Sequence, residues 1–395
     1  MSMPVVSLRD ARFDADKYGF IEELRSQGNH FLTPEGAPVF LNESDVAALL
    51  KCDDFRFTFN LIDDSASPYL ANAIRHELLN MHGDQHHRLS RLVKQALRDR
   101  ILEDMRRTIV EIVDGLIDAF PHTGDVEFCA TFADPLPARV LGPMFDVPYE
   151  EAEGLNEWIK VGGRKVDALQ SGVDIEEVEE ANRKVHDFLR TLLAERRDRP
   201  SSDLFSELLQ AEFDGDRMSE DEAVYLSAEL ASAGVDTTRT QLPLILHALL
   251  THPDQMEKLR TDPSLALRAV DEGMRFAPLP WALPHAAVHD VQFGGAAFKE
   301  GDLAFVLVPA ANRDPSATER PQTFDITRPR ARHFSFGSGL HACPGAQLAR
   351  MEMSIALARL VERLPKIAIN GSPQWQSGMV GRGFDSLTLS VSVSR

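Results

Sequence analysis

Cys343 lies in FSFGSGLHACPGAQLAR, residues 334–350, flanked by Gly337, Gly339, Gly345 and Pro344 at the start of a helical pattern. A cysteine taken alone is most often a small buried hydrophobe. Here the glycines permit tight curvature and close approach of a large flat partner, and the free N–H groups of the following helix favour a thiolate. Such a sulfur is suited to be a metal ligand or a nucleophile. Structural zinc needs three further ligands at suitable spacing. His333 and His341 are near, Cys52 and Cys129 are far away and unpatterned, and His82, His86 and His87 form a separate group. For a papain-like nucleophile the local context is wrong, and the sequence identifies no partnered histidine.

Three more groups carry chemistry. AGVDTT, residues 233–238, places Asp236 beside Thr237 and Thr238 inside a helical run, where Gly234, the acid and the hydroxyls all lower helix propensity. Such an acid and hydroxyl usually belong to a solvated face or to a threonine bonded back to the preceding turn. DEGMR puts Glu272 and Arg275 three apart on one helix face, a pair worth only about 0.2–0.5 kcal/mol when exposed. Arg88, Arg91, Lys94 and Arg98 recur at helical spacing as a cationic stripe, which is as readily an ordinary solvated face.

The elements that must position these groups are mostly helical. Residues 84–119 show continuous apolar recurrence at three and four, and helical periodicity returns at 149–168 and 174–196, followed by a loop at 197–203. Ser219 with Glu222 reads as a capping box opening a helix to about Leu250. Residues 283–310 read as short strands with Gly294 and Gly295 as a tight turn. A long irregular loop follows, then a helix from Pro344 to about Leu364, and the tail GRGFDSLTLSVSV alternates as a terminal hairpin. With no internal repeat and no clear linker, the expectation is one mainly α domain with a small β portion over residues 1–395.

A chain of 395 residues with a formal charge of −19 disfavours nucleic-acid binding. Three cysteines make a disulfide framework improbable. The N-terminal residues carry no signal-peptide core, and no stretch reaches the roughly 18 apolar residues of a membrane span, so a cytoplasmic location is expected.

The cysteine segment resembles the haem-binding signature of the cytochrome P450 family, F-G-x-G-x-H-x-C-x-G. Phe336, Gly337, Gly339, His341, Cys343 and Gly345 match every specified position. DEGMR resembles the family's E-x-x-R helix, Arg328 in FDITR matches the arginine that joins it, and AGVDTT stands where the family keeps its acid–alcohol pair. The resemblance runs from about residue 60 to the C-terminus.

The resemblance implies a P450-like fold with a long central helix crossing the haem, haem b held by Cys343 through sulfur, and Glu272, Arg275 and Arg328 as structural support. It implies proton delivery by Asp236, hydrogen bonding at the distal oxygen site by Thr237, a less defined role for Thr238, and space for a diatomic ligand at Ala233 and Gly234. Phe336, Gly337 and Gly345 would shape the cofactor loop. His86 and His341 would meet the haem propionates. Two departures weaken that edge: Ser90 and His285 stand where bacterial members commonly have arginines, leaving Arg88 or Arg91 to compensate, and imidazole charge varies with pH where guanidinium charge does not. Trp281, Ala282, Leu283, Ala233, Met379 and Val380 would line a substrate pocket capped by residues 56–80, suited to a hydrophobic or aromatic molecule. The implied reaction takes O₂, inserts one oxygen atom into the substrate, and draws electrons from a separate ferredoxin and its reductase docking on the cationic stripe. The competing readings are a haem–thiolate peroxygenase, an oxidative coupling or rearrangement enzyme, and a non-catalytic haem-binding sensor.

Overall fold

The computed structural model describes residues 3–394 other than 59–66, 98, 165–172, 200, 202, 214, 330–331 and 378–380. Where the sequence suggested one domain, contacts divide the chain into two compact units. The first comprises Met1–Thr58, Leu244–Cys343 and Pro373–Asp385; the second comprises Phe59–Pro243, Pro344–Ser372 and Ser386–Arg395.

The first unit is organised by a five-stranded sheet in the order His30–Leu32, Pro38–Phe40, Leu303–Leu307, Ala282–Ala287, Phe55–Phe57. Successive strand residues point to opposite faces, and that alternation divides the core. Phe305 and Leu307 join Phe13, Phe20, Phe31, Val39 and Leu41 in one cluster. Ala304 and Val306 join Phe40, Val46, Leu49, Phe55 and Phe334 in another. The diglycine turn is present: Gly294 and Gly295 have φ of 57° and 85° and connect the paired strands Val291–Phe293 and Ala296–Phe298.

The second unit is mainly helical. Its helices include Gly83–Ala96, Asp99–Asp118, Pro135–Phe145, Tyr149–Gly163, Ile175–Asp198 and Ala346–Arg363, with a small sheet in the order Lys366–Ile369, Thr388–Ser392, Thr123–Glu127. The helix Glu220–Leu250 has 31 residues, about 46 Å at 1.5 Å per residue. Its start is a reciprocal cap: Ser219 N–H donates to Glu222 Oε2 at 2.8 Å, and Glu222 N–H donates to Ser219 Oγ at 3.2 Å.

Two expectations about elements fail. The periodic run 84–119 is two helices, because Leu97 leaves helical geometry with ψ of 46°. The tail is not a hairpin. Arg382–Ser386 pairs with Gln374–Ser377, whereas Thr388–Ser392 lies between Lys366–Ile369 and Thr123–Glu127. Leu387 alone separates the two tail strands, too little for a turn. It is buried, and its backbone bonds to Glu127 Oε1 and to Phe128 N–H.

Candidate active site

Local sterics make the cysteine loop. Gly337 and Gly339 adopt φ of 66° and 70°, in the left-handed region that side chains disfavour. A Cβ on Gly339 would stand 2.3 Å from the Leu50 carbonyl oxygen, so backbone occupies the space a side chain would need. Cys343 N–H donates to the Phe336 carbonyl at 2.9 Å, closing the loop. Cys343 is exposed, whereas Cys129 is buried and its thiol is pushed up to about 12. Cys52 is half-buried, raised by burial and by donation to Asp54 Oδ2 at 3.1 Å.

Behind the loop, Glu272 and Arg275 form a bidentate pair, with Nε to Oε2 and Nη2 to Oε1 both at 2.8 Å. Their side chains are 1% and 0% exposed. Arg328 Nε adds a contact to Glu272 Oε2 at 3.2 Å, and the Asp325 N–H donates to Oε1 at 3.0 Å. The remaining Arg275 donors reach the carbonyls of Asn312, Pro321 and Thr323. Burying charge is costly unless the partners are nearly complete, and here every polar edge of Glu272 and Arg275 is engaged. Asn312, which the sequence did not flag, carries this rigidity to the loop. Its Oδ1 accepts from Phe334 N–H at 2.8 Å, and its amide donates to Ser335 Oγ at 3.2 Å.

In the second unit, Ala233, Gly234 and Thr237 lie on one exposed face of the long helix, while Ala231, Val235 and Thr238 are buried. A Cβ on Gly234 would meet nothing within 4 Å. Thr237 Oγ1 donates to the Ala233 carbonyl at 2.6 Å, the back-bonded arrangement that perturbs a helix. Asp236 is about one-third exposed and accepts from Arg239 Nε at 3.0 Å; Arg239 also lies 3.5 Å from Asp134. Gly163 completes this environment, since a Cβ there would stand 2.5 Å from Asp236 Oδ2. The sequence reading missed Arg239, although its i, i+3 spacing from Asp236 was the available signal.

Another missed group is Glu352 on the helix Ala346–Arg363. It is buried, its Oε1 has no hydrogen-bond partner, and burial pushes its carboxyl up to about 8. An acid in that state is kept neutral by desolvation. Only its position amid an apolar helix pattern hinted at it.

The histidines divide between the units. His285 and His341 flank Phe57, with ring centroids 5.4 and 6.1 Å from it. His285 Nδ1 lies 3.2 Å from the Leu283 carbonyl, an acceptor only, so Nδ1 carries the proton. A further bond donated from Nε2 to a carboxylate then requires the imidazolium. His86 is buried and pushed down to about 4, first by burial and then by His87, His82 and Lys94. Ser90 is buried beside it on the same helix.

Trp281 and Ala282 belong to the apolar cluster around Phe13 and Phe31, and Phe13 packs edge-on against Trp281 at 5.1 Å. Both are buried there, Trp281 1% and Ala282 0% exposed. Leu283 is half-buried against the opposite cluster. Met379 and Val380 lie outside the described residues, as does Arg98. Arg88 is no free cation: it pairs with Glu222 and, at 3.2 Å, with Asp216. Arg91 and Lys94 are exposed.

The first unit's donors suit haem b: an exposed cysteine in a glycine-curved loop, with the imidazoles of His285 and His341 able to meet carboxylates. Among the described residues no cluster of histidine, cysteine and acids competes as a metal site, and no helix there is long and apolar enough to cross a membrane.

Comparison with known proteins agrees. The family model described as cytochrome P450 matches residues 170–374. Cytochrome P450 107B1 of Saccharopolyspora erythraea is 34% identical over 333 residues, covering 83% of this chain and 80% of that protein. The cytochrome P450 monooxygenase PikC of Streptomyces venezuelae is 32% identical, covering 95% and 91%. The structure of the Bacillus subtilis bacillaene polyketide synthase cytochrome P450 PksS superposes with a TM-score of 0.88 at 29% identity, covering 98% of this chain and 100% of that one. An exposed cysteine loop braced by buried charge defines a haem–thiolate oxidoreductase of bacterial type. The chain belongs to the cytochrome P450 family and binds haem b through a thiolate.

Proposed function

We propose that this enzyme is a single haem-binding monooxygenase domain that oxidises a small, largely hydrophobic or aromatic organic molecule with O₂ in the cytoplasm. Its electrons come from a separate ferredoxin and ferredoxin reductase. Bound through a thiolate, the haem supplies oxygen activation. Cys343 is the ligating residue, and Phe336, Gly337 and Gly345 hold its loop in shape. With haem bound, Asp236 would deliver protons, with Arg239 setting its carboxylate, and Thr237 would offer its hydroxyl as a hydrogen-bond donor once it turns from the Ala233 carbonyl. Ala233 and Gly234 keep that face clear. His86, His341 and His285 would meet the propionates. Leu283 remains a pocket candidate. The exposed cations Arg91 and Lys94 offer a local positive surface to an acidic electron donor.

The exposed face of Ala233, Gly234 and Thr237, in a helix otherwise packed into the core, is the observation that carries this reading beyond haem binding. A sensor has no use for an acid and a hydroxyl there, and their retention disfavours dependence on peroxide alone. The reduced carbon monoxide spectrum tests the ligand. Cys343→His is expected to abolish the thiolate-type Soret band even where haem stays bound, and its persistence would reject Cys343. Cys52 and Cys129 are expected to be replaceable without changing that band.

A further inference from the structure

Lys17 opens the helix Lys17–Gln27 in the first unit and is half-buried. Its ammonium lies 5.3 Å from the Trp281 ring centroid, 5.8 Å from Tyr18 and 5.9 Å from Trp375. Among the described residues it makes no hydrogen bond and no ion pair. The Arg382 guanidinium stacks on the same indole at 3.9 Å. Arg382 uses Nη1 on Asp14 Oδ1 and Nη2 on the Leu8 carbonyl, while its Nε is buried without an acceptor. The Trp281 Nε1–H is likewise buried without one. Trp281 is 1% exposed and the Arg382 side chain 7%.

Three donors without acceptors thus gather around one indole ring. Most buried polar groups in folded proteins are paired, so each orphan calls for an explanation. Ring faces offset part of the lost hydration of an ammonium, but they accept nothing along the in-plane N–H directions of Trp281 or Arg382. The charge tally points the same way. Asp14 pairs with Arg382 and also attracts Lys17, but the neighbouring Arg313 adds a further positive charge, so three cations face this one carboxylate. Burial pushes Lys17 down to about 8, and repulsion from Arg382 and Arg313 adds to it. An overall charge of −19 gives no general reason for cations to collect here. Beside them Trp375 is 53% exposed, a large apolar surface adjoining the positive charge.

We propose that the cluster of Lys17, Trp281 and Arg382 is a binding site for an oxyanion, a carboxylate or phosphate, with Trp375 receiving an apolar chain that carries it. Oxygen lone pairs would satisfy the orphan N–H groups, and one negative charge would balance Lys17. This site goes beyond the monooxygenase reading and does not depend on it.

Calorimetric titration of the holoenzyme tests it, using octanoate, octan-1-ol and inorganic phosphate as probes on the wild type and Lys17→Gln. The variant removes a group that makes no hydrogen bond or ion pair among the described residues, so it leaves no donor or acceptor unpaired, and its melting temperature checks for the lost ring contacts. Octanoate affinity is expected to fall about tenfold in the variant, the scale of one charge-assisted contact. Octan-1-ol binding should not change. Trp375→Ala should weaken octanoate and leave phosphate alone. If phosphate matches octanoate with the same Lys17 dependence, the oxyanion site stands and its occupant is a free anion. Equal octanoate affinity in both proteins overturns the proposal and leaves water as the acceptor. The reduced carbon monoxide spectrum of the same samples reports separately on the haem reading.

Discussion

The two regions proposed to bear on catalysis are built on opposite plans. In the first unit Glu272, Arg275, Arg328 and Asn312 form a closed polar network, almost without solvent, whose bonds end on the backbone of the cysteine loop. In the second unit Asp236, Thr237 and Arg239 occupy a partly open helix face, where the local Thr237–Ala233 and Arg239–Asp236 bonds are joined by a partly exposed Arg239–Asp134 pair. The network fixes geometry because each member would be costly to leave unpaired. The helix face tolerates rearrangement because its polar groups have water or a neighbour as alternatives. A metal ligand needs the first arrangement, and groups that move protons need the second.

The contrast predicts unequal stability effects. Glu272→Gln leaves the buried Arg275 and the half-buried Arg328 guanidinium groups without their anion and is expected to destabilise the protein by about 3–5 kcal/mol, with weakened haem retention through the Asn312 link. Asp236→Asn breaks a pair about one-third exposed on each side and is expected to cost under about 1 kcal/mol. Urea unfolding of the two variants side by side checks this. Comparable losses would break the comparison.

Glu352 sharpens it, as a buried carboxyl whose Oε1 has no hydrogen-bond partner among the described residues. Its folded-state value of about 8 lies above its ordinary 4.5. The folded protein therefore holds a proton that the unfolded chain releases, and stability falls as pH rises from about 4.5 to about 8, then levels off. Glu352→Gln removes that dependence. The variant is expected to gain on the wild type across this window, by on the order of a few kcal/mol at the alkaline end. Melting curves from pH 4 to 9 test it, and parallel curves would show that the carboxyl is compensated after all.

The smallest stability effect, and a large functional one, is expected at Thr237. Thr237→Ala removes an exposed back-bonded hydroxyl, so unfolding should change by less than about 0.5 kcal/mol. Reducing equivalents should instead be diverted from product to peroxide, with carbon monoxide binding intact. Product, peroxide and electron consumption measured together decide it. Unchanged coupling in both Thr237→Ala and Asp236→Asn would remove this face from the mechanism.

The amino-acid sequence by itself determined the features written in short-range chemistry. The glycines of the cysteine loop, the Ser219–Glu222 cap, the Glu272–Arg275 spacing and the diglycine turn are legible because backbone sterics and helix periodicity act over a few residues. Arg328 was legible only through family resemblance, since nothing local ties it to Glu272. Tertiary structure alone decided the rest, because burial and long-range pairing depend on which distant segments meet. It placed Trp281 in a core with Phe13, paired Arg88 with Asp216 and Glu222, and sent the two tail strands to different sheets. It also left Glu352 Oε1 without a hydrogen-bond partner among the described residues and gathered Lys17 and Arg382 around the Trp281 ring. Desolvation, which sets the protonation of Glu352 and the orphaned donors of that cluster, is a property of the packed surroundings, and no residue type or spacing encodes it.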